Sequence, residues 1–340
     1  MKKYDLYSIG NALLDMVYQV PEDVIKRLNL EKGTMTLIDE NTHNESLELL
    51  STYTPTYACG GSAANTAITA QLFGSKTFYS SLVGQDTSGR LYHQDLVAKG
   101  VDSNITEINR PDADTGKCLA LVTPDAQRTM SVYLGITAQL TSQVIDAQAI
   151  EASRFLYIEG YLVANEAARQ AAISAKNIAE KHEAKIALTL SDTNMINLFR
   201  QGVDDMLGQG VDLLFCNEQE ALAYASTQDL NDAELALRDI AKQYVITLGN
   251  EGAIAFDGKR SYHLKAYDTP IIDSVGAGDT FAGSFLHAIN NGADFAYAAD
   301  FANYAAAKVV SKIGPRLEPE EAQEISQVFS RQMKSQEMLF

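Results

Sequence analysis

The sequence predicts an α/β protein: a doubly wound, mostly parallel sheet with helices on both faces, plus a small β-sheet formed by early insertions. Three observations predict it. From residue 154 onward, β-rich runs at 155–158, 186–190, 213–216 and 244–248 alternate with helical stretches. That alternation is the pattern of a parallel sheet covered on both faces. Residues 117–122 and 128–134 are instead joined by the turn-rich Thr123-Pro-Asp-Ala-Gln127, which reads as a hairpin. Third, three helical stretches close the chain, at 278–290, 294–311 and 318–333.

The remaining elements follow in order. Residues 4–10 read as a buried strand ending at Gly10. Residues 11–20 continue with mixed polarity around Asp15, and 34–38 read as a further strand. Residues 53–59 lead into Gly60-Gly61 and a helix to Phe73. Ala64, Ala67, Ile68 and Leu72 give that helix an apolar face, and Gly74 suits the position after its end. A strand at 76–83 and a helix at 88–99, closed by Gly100, come next. Residues 253–256 and 261–264 predict an antiparallel pair around Asp257-Gly258. No internal repeat or low-complexity linker divides the chain. Residues 1–340 therefore read as one domain, with the insertions near 11–20, 33–39, 53–58 and 115–135 making the small sheet.

Composition bounds the function. Hydrophobic residues are 46% and charged residues 21% of 340, ordinary for a globular protein. The net charge of −17 argues against coating nucleic acid. Any phosphate site must then be a local arrangement of amides, metal and a few cations. Cys59, Cys118 and Cys216 lie far apart with no CxxC pair, which predicts reduced thiols and a cytoplasmic location. Asp5 and Asp15 interrupt the apolar stretch after Lys2 and Lys3, so neither a secretory segment nor a membrane span is expected.

Asp273-Ser-Val-Gly-Ala-Gly-Asp279 carries chemistry most directly. Residues 270–272, Pro-Ile-Ile, read as a strand, the glycines as a turn, and Thr280 onward as a helix. Amides at a helix start are unpaired and sit at the positive end of the macrodipole. Gly276 and Gly278 let a phosphate approach that backbone closely. Asp279 then stands beside the anion. A carboxylate there is costly for binding alone, but suits a base taking a proton from an attacking hydroxyl. The competing reading is a capping aspartate after a βα turn, with no ligand.

Three other segments each have two readings. In Gly60-Gly61-Ser62-Ala-Ala-Asn65, two glycines and an amide one turn inside a helix suit sugar hydroxyls; a turn capped by Ser62 fits the same residues. Asn217-Glu-Gln-Glu220 follows an apolar strand, where doubly wound sheets bind ligands. Asn217 and Glu220 share a helical face and suit Mg2+ held through waters, or form an acidic first turn. Thr247-Leu-Gly249-Asn-Glu-Gly252 either lets a nucleotide lie against its backbone or makes a tight turn. No GxxxxGK[ST] loop, GxGxxG fingerprint or GxSxG elbow occurs, and the five histidines show no metal spacing.

In this order, the motifs resemble the PfkB (ribokinase-like) family of carbohydrate and nucleoside kinases. The first family motif matches Gly60-Gly61-Ser-Ala-Ala-Asn65, with Gly74 and Gly84 downstream. The second matches Asp273-Ser-Val-Gly-Ala-Gly-Asp279-Thr-Phe-Ala-Gly283, and Asn217-x-x-Glu220 lies between. The resemblance covers nearly the whole chain. It implies a ribokinase-like fold whose small sheet is a lid over the acceptor, with ATP and Mg2+ as cofactors. Asp279 matches the catalytic base, and the amides of Ala277, Gly278 and Asp279, with Gly276 before them, match the anion hole. Asp15 matches the lid carboxylate that grips acceptor hydroxyls, and Asn11, Gly60, Gly61, Ser62 and Asn65 further acceptor contacts. Thr247, Gly249, Gly252 and Asn303 fall on the nucleotide side. The Asp273 and Val275 carbonyls resemble part of a monovalent-cation site that K+ would fill.

Gly10-Asn11-Ala-Leu-Leu-Asp15, Thr115-Gly116 and Arg128-Thr-Met130 look most like bacterial adenosine-kinase-like members. Arg128 either reaches the phosphates or is a solvated hairpin charge. Met16, Tyr18, Tyr133 and Leu134 are either walls for a nucleobase or the lid's own core. The expectation is a kinase that moves the γ-phosphate to a primary hydroxyl, adenosine being the first acceptor. The alternatives are a sugar kinase acting on ribose, fructose or a keto-deoxy sugar acid, and a catalytically silent nucleoside sensor. Neither nucleic acid nor membrane is an expected partner, and the chain is expected to be a monomer or a lid-mediated homodimer.

Overall fold

The computed structural model describes residues 2–108, 110–125 and 127–337. The first half contributes β1 (Tyr4–Ile9), β2 (Leu13–Gln19), β3 (Met35–Leu37), β4 (Thr56–Gly60), β5 (Thr77–Ser80), β6 (Asp102–Ser103), β7 (Gly116–Val122) and β8 (Arg128–Tyr133). The second half contributes β9 (Ser153–Glu159), β10 (Lys185–Thr189), β11 (Val211–Asn217), β12 (Ala241–Thr247), β13 (Ala253–Phe256) and β14 (Ser261–Leu264).

Nine of these form the large sheet in the order β14-β13-β12-β11-β10-β9-β1-β5-β6. From β6 to β12 every pairing is parallel, and β13 and β14 complete the edge as an antiparallel pair. β1 lies between β5 and β9, so the strand order reverses there and leaves a crevice at the carboxyl ends of β1 and β9.

Apolar layers cover both faces. One holds Leu156, Leu214 and Tyr244; the other holds Phe215, Phe285 and Phe301. The helix Ala277–Asn290 belongs to the second layer and buries Phe281, Phe285 and Leu286. Each such phenylalanine contributes roughly 1.5–3 kcal/mol, so the helix is anchored along its length although its first turn faces the crevice. Gly283 allows it to approach the helix Ser62–Leu72: a Cβ there would come 2.5 Å from the Thr66 carbonyl oxygen. The starts of the two helices are thereby set side by side.

The other five strands form a second sheet in the order β3-β8-β7-β2-β4. β7 and β8 are the antiparallel hairpin that the turn residues predict. Two helices missing from the sequence reading, Glu22–Arg27 and Glu40–Leu49, stand beside it. Met16, Tyr18, Val24, Ile25, Leu50 and Leu119 build a core on that side. Side chains alternate along a strand, so Leu13, Asp15 and Val17 project from the opposite face. Leu13 and Val17 there join Cys118, Ala120, Val132, Met130 and Leu134.

Residues 270–272 correct the expectation of a strand. Ile271 and Ile272 are 65% and 51% exposed, and the Ile272 amide donates to the Val310 carbonyl at the end of a helix. High β-propensity does not make a strand without a pairing edge. The three cysteines are free. Among the described residues no helix is long and apolar enough to cross a membrane.

Candidate active site

The second glycine turn opens its helix as the motif predicts. Gly276 is the N-cap, at φ +77°, and a Cβ there would meet the Pro315 carbonyl oxygen at 2.3 Å. No side chain caps this helix start. Ala277 donates weakly back to Ser274 at 3.3 Å, whereas the amides of Gly278 and Asp279 have no partner among the described residues. Gly278 is exposed, and nothing lies within 4 Å of where its Cβ would be. Two free amides at a positive helix end, with open space before them, form a cradle for an anion.

Asp279 does not cap its own helix. Its Oδ1 accepts from the Ser62 hydroxyl at 2.6 Å and its Oδ2 from Asn65 Nδ2 at 3.0 Å. Ser62 is therefore not the cap of its own helix either; Gly61 holds that position. Burial raises the Asp279 carboxyl above the ordinary aspartate range, while Ser62, Asn65 and the charge of Arg316 oppose the rise. A held, desolvated carboxylate next to an anion cradle is suited to taking a proton.

Asp15 faces it from the small sheet. Burial pushes its carboxyl up to about 7; Arg316 and Arg128 pull it down, and the charge of Asp279 pushes it up. Gly60, close alongside in β4, has no space for a side chain, because a Cβ would lie 2.5 Å from Asp15 Oδ2. No hydrogen bond reaches the Asp15 carboxylate among the described residues.

Glu159, at the end of β9, was not anticipated. It is 1% exposed and sits at the crevice beside Asn11. Its Oε1 accepts from the Asn11 amide (3.2 Å) and Asn11 Nδ2 (3.0 Å), and its Oε2 from the Ala63 amide (2.9 Å). It thus ties the segment after β1 to the helix start that carries Ser62 and Asn65. Burial raises this carboxyl too, to about 7. An acid directly after the apolar run 155–158 and before Gly160 was the available signal. Arg316 and Asp95 were also missed, and no spacing rule points to them. Arg316 Nε donates to Asn65 Oδ1 at 2.8 Å, and its Nη1 pairs with Asp95 at 2.6 Å.

Arg128 corrects the solvated-charge alternative. It bridges from β8 to Asp273 at 2.7 Å, and the Asp273 side chain is only 5% exposed. Asp273 also accepts from the amides of Val275 (3.1 Å) and Gly314 (2.9 Å). One ion pair thus joins the small sheet to the turn that leads into the cradle. Met16 and Tyr18 belong to the small sheet's outer core, and Tyr133 stacks on His43 at 5.1 Å, so those three do not line the crevice. Leu134 does share the face of Asp15.

Beside the cradle lies a cavity of about 370 Å3, lined by Thr247, Gly249, Gly252, Gly278 and Asn303, among others. Asn303 Nδ2 donates to the Lys265 carbonyl at 2.7 Å. Asn217 and Glu220, at the end of β11, form a reciprocal capping box. Asn217 Oδ1 accepts from the Glu220 amide, and the Glu220 carboxylate accepts from the Asn217 amide and Nδ2. Burial, with the charge of Asp192, raises Glu220 to about 7. Among the described residues no group of three or more His, Cys, Asp or Glu side chains is arranged to hold a metal.

Comparison with known proteins agrees with this geometry. The profile of the pfkB family carbohydrate kinases matches residues 34–322. The adenosine kinase of Saccharomyces cerevisiae is 28% identical over 332 residues, 91% of this chain and 96% of that protein. The crystal structure of adenosine kinase from Sinorhizobium meliloti superposes with a TM-score of 0.88 at 31% identity, covering 96% of this chain and 99% of that one. A probable sugar kinase from Rhizobium etli gives 0.89 at 29% identity, with the same coverage.

Proposed function

Because the chain belongs to the pfkB family of carbohydrate kinases, ATP- and metal-dependent phosphotransferases acting on hydroxyl groups, we propose that its acceptor is a ribonucleoside, adenosine first. The observation that carries this reading is the crevice-facing side of the small sheet. There Asp15 shares its face of the sheet with Leu13, Val17, Met130 and Leu134, all half-buried. A carboxylate suits ribose hydroxyls, and an apolar wall around it suits the flat face of a base. A free sugar would leave that wall in water. The similarity to two adenosine kinases supports the choice of base.

In this reading the small sheet acts as a lid over the acceptor. Asp15, Asn11 and Asn65 position it, with Gly60, Gly61 and Ser62 leaving room beside them. Asp279 takes the proton of the primary hydroxyl as its oxygen attacks the γ-phosphorus. The amides of Gly278 and Asp279 stabilise the charge on the transferring oxygens. Closing the lid keeps water out. ATP would lie along Thr247, Gly249, Gly252 and Asn303, where the cavity opens onto the cradle.

Mg2+ fits at Asn217 and Glu220, held through waters. The charge of Asp192 adds to the burial that raises Glu220, and a divalent cation there would offset both. When bound it supplies charge neutralisation at the phosphates. The monovalent site stays a proposal. It rests on the Asp273 and Val275 carbonyls, beside an Asp273 carboxylate already held by a guanidinium and two amides, and no step here depends on K+.

The second reading, a sugar kinase, is favoured by the likeness to the Rhizobium etli protein. Turnover with MgATP over a panel of nucleosides and sugars separates the two. Adenosine should exceed ribose and fructose in kcat/KM, and 2′-deoxyadenosine should be markedly poorer, since a missing hydroxyl leaves Asp15 unpaired. Faster turnover of the free sugars would overturn the nucleoside assignment and leave the kinase chemistry standing.

A further inference from the structure

A chain of polar contacts linking four segments ends at the acid beside the cradle. Asp95, on the helix Thr87–Ala98, accepts from Arg316 Nη1 at 2.6 Å. Arg316 Nε donates to Asn65 Oδ1 at 2.8 Å, and Asn65 Nδ2 donates to Asp279 at 3.0 Å. Arg316 is 14% exposed, and its Nη2 is buried without a hydrogen-bond partner among the described residues.

An asparagine amide offers an oxygen on one side and an NH2 on the other, and nothing intrinsic decides which side faces a neighbour. Here the two neighbours agree on the choice, because a guanidinium has only donors and a carboxylate only acceptors, and the guanidinium holds the amide from behind. With Arg316 behind it, Asn65 must turn its oxygen to Arg316 and its NH2 to Asp279. We propose that Arg316 is the positioning residue of the base: it fixes the orientation of Asn65, holds the Asp279 carboxylate in register with Ser62, and keeps a positive charge beside the crevice. This rests on the reading of Asp279 as the base.

Other titratable and charged groups stand around Asp279. Asp15 faces it from β2, with Arg128 of β8 near Asp15. Glu159 and Tyr157 of β9 and the nearby Tyr161 feel its charge. Burial raises the Asp279 carboxyl, and Arg316 opposes the rise together with Ser62 and Asn65. Removing Arg316 should therefore raise the Asp279 carboxyl further. It should also leave the Asn65 oxygen without its donor and the amide less firmly held against Asp279.

The test has a readout that does not need turnover. The Asp279 carboxyl carbon is followed by 13C NMR against pH in the full chain without acceptor, its signal assigned by loss in Asp279→Asn. In Arg316→Gln the midpoint should rise by about one pH unit, and in Arg316→Lys, which keeps the charge, by clearly less. The acid limb of kcat with MgATP and adenosine should move the same way, with plateau kcat down about tenfold and KM for ATP within about twofold. Asp95→Asn, which loosens Arg316 without removing it, should give a smaller shift of the same sign and serves should Arg316→Gln fail to fold. An unmoved midpoint in every folded variant overturns the proposal, even if activity falls, since a purely structural role would lower activity alone. If Asp279→Asn keeps its activity, the base reading fails, while the carboxyl titration still decides the role of Arg316.

Discussion

The two walls of the crevice hold their carboxylates differently. On the large-sheet side every buried acid is provided for: Asp279 by Ser62 and Asn65, Glu159 by three N–H donors, and Glu220 by the Asn217 amide and side chain. On the small-sheet side Asp15 has only the more distant charges of Arg316 and Arg128 to offset its desolvation. The contrast assigns the two walls different tasks. The large-sheet wall is preorganised, which is what stabilising a transition state demands. In the proposed function, the small-sheet wall is completed by the acceptor that binds to it.

The largest effect that sharpens this contrast is expected at Asp15. Asp15→Asn should lower kcat/KM for the acceptor by about 10³-fold, the scale of losing a buried hydroxyl partner, while KM for ATP hardly moves. At pH 8 its melting temperature should rise, because a desolvated carboxylate without a donor is removed. An activity loss accompanied by a falling melting temperature would mean that Asp15 is structural.

Glu159→Gln probes the opposite wall and should do the reverse. Three N–H groups point at Glu159, and a glutamine turns its own NH2 toward at least one of them. Leaving a buried donor unmet costs about 1–3 kcal/mol, readable from the midpoint of denaturant unfolding. Unfolding at the wild-type midpoint would remove Glu159 from the scaffold of the site.

A smaller effect is expected in the pH dependence of stability. The folded Glu220 carboxyl lies at about 7, above its ordinary value of 4.5. A group raised in this way favours folding below the unfolded value, and that contribution is lost as the pH rises through the folded one. Between pH 5 and pH 8 the wild-type melting temperature should therefore fall more steeply than that of Glu220→Gln. Parallel slopes would show that Glu220 is ionised throughout.

The same contrast explains what the sequence made legible. The strands at 153–159, 185–189, 211–217 and 241–247 could be read because each contains a continuous apolar run and follows a helix. The motif residues Asp279, Ser62 and Asn65 could be read because glycines mark the turns before them. The helices Glu22–Arg27 and Glu40–Leu49 could not, since both are short and their few buried positions follow no full helical repeat. They give the small sheet a core of its own, so Met16 and Tyr18 pack there rather than in the crevice. Arg316 was illegible for another reason: its partners Asn65 and Asp95 lie 251 and 221 residues away in sequence. Only the crossing of the two helices at Gly283 brings Asn65 to Asp279.

The central claim is that Asp279 acts as the base in a preorganised wall. Asp279→Asn tests it most directly, because an amide keeps the shape of the carboxylate and removes its capacity to take a proton. Steady-state kinetics with MgATP and the preferred acceptor should show kcat reduced by about 10²–10⁴-fold, with ATP and acceptor still binding by calorimetry. A variant that turns over within a few-fold of wild type would contradict the account.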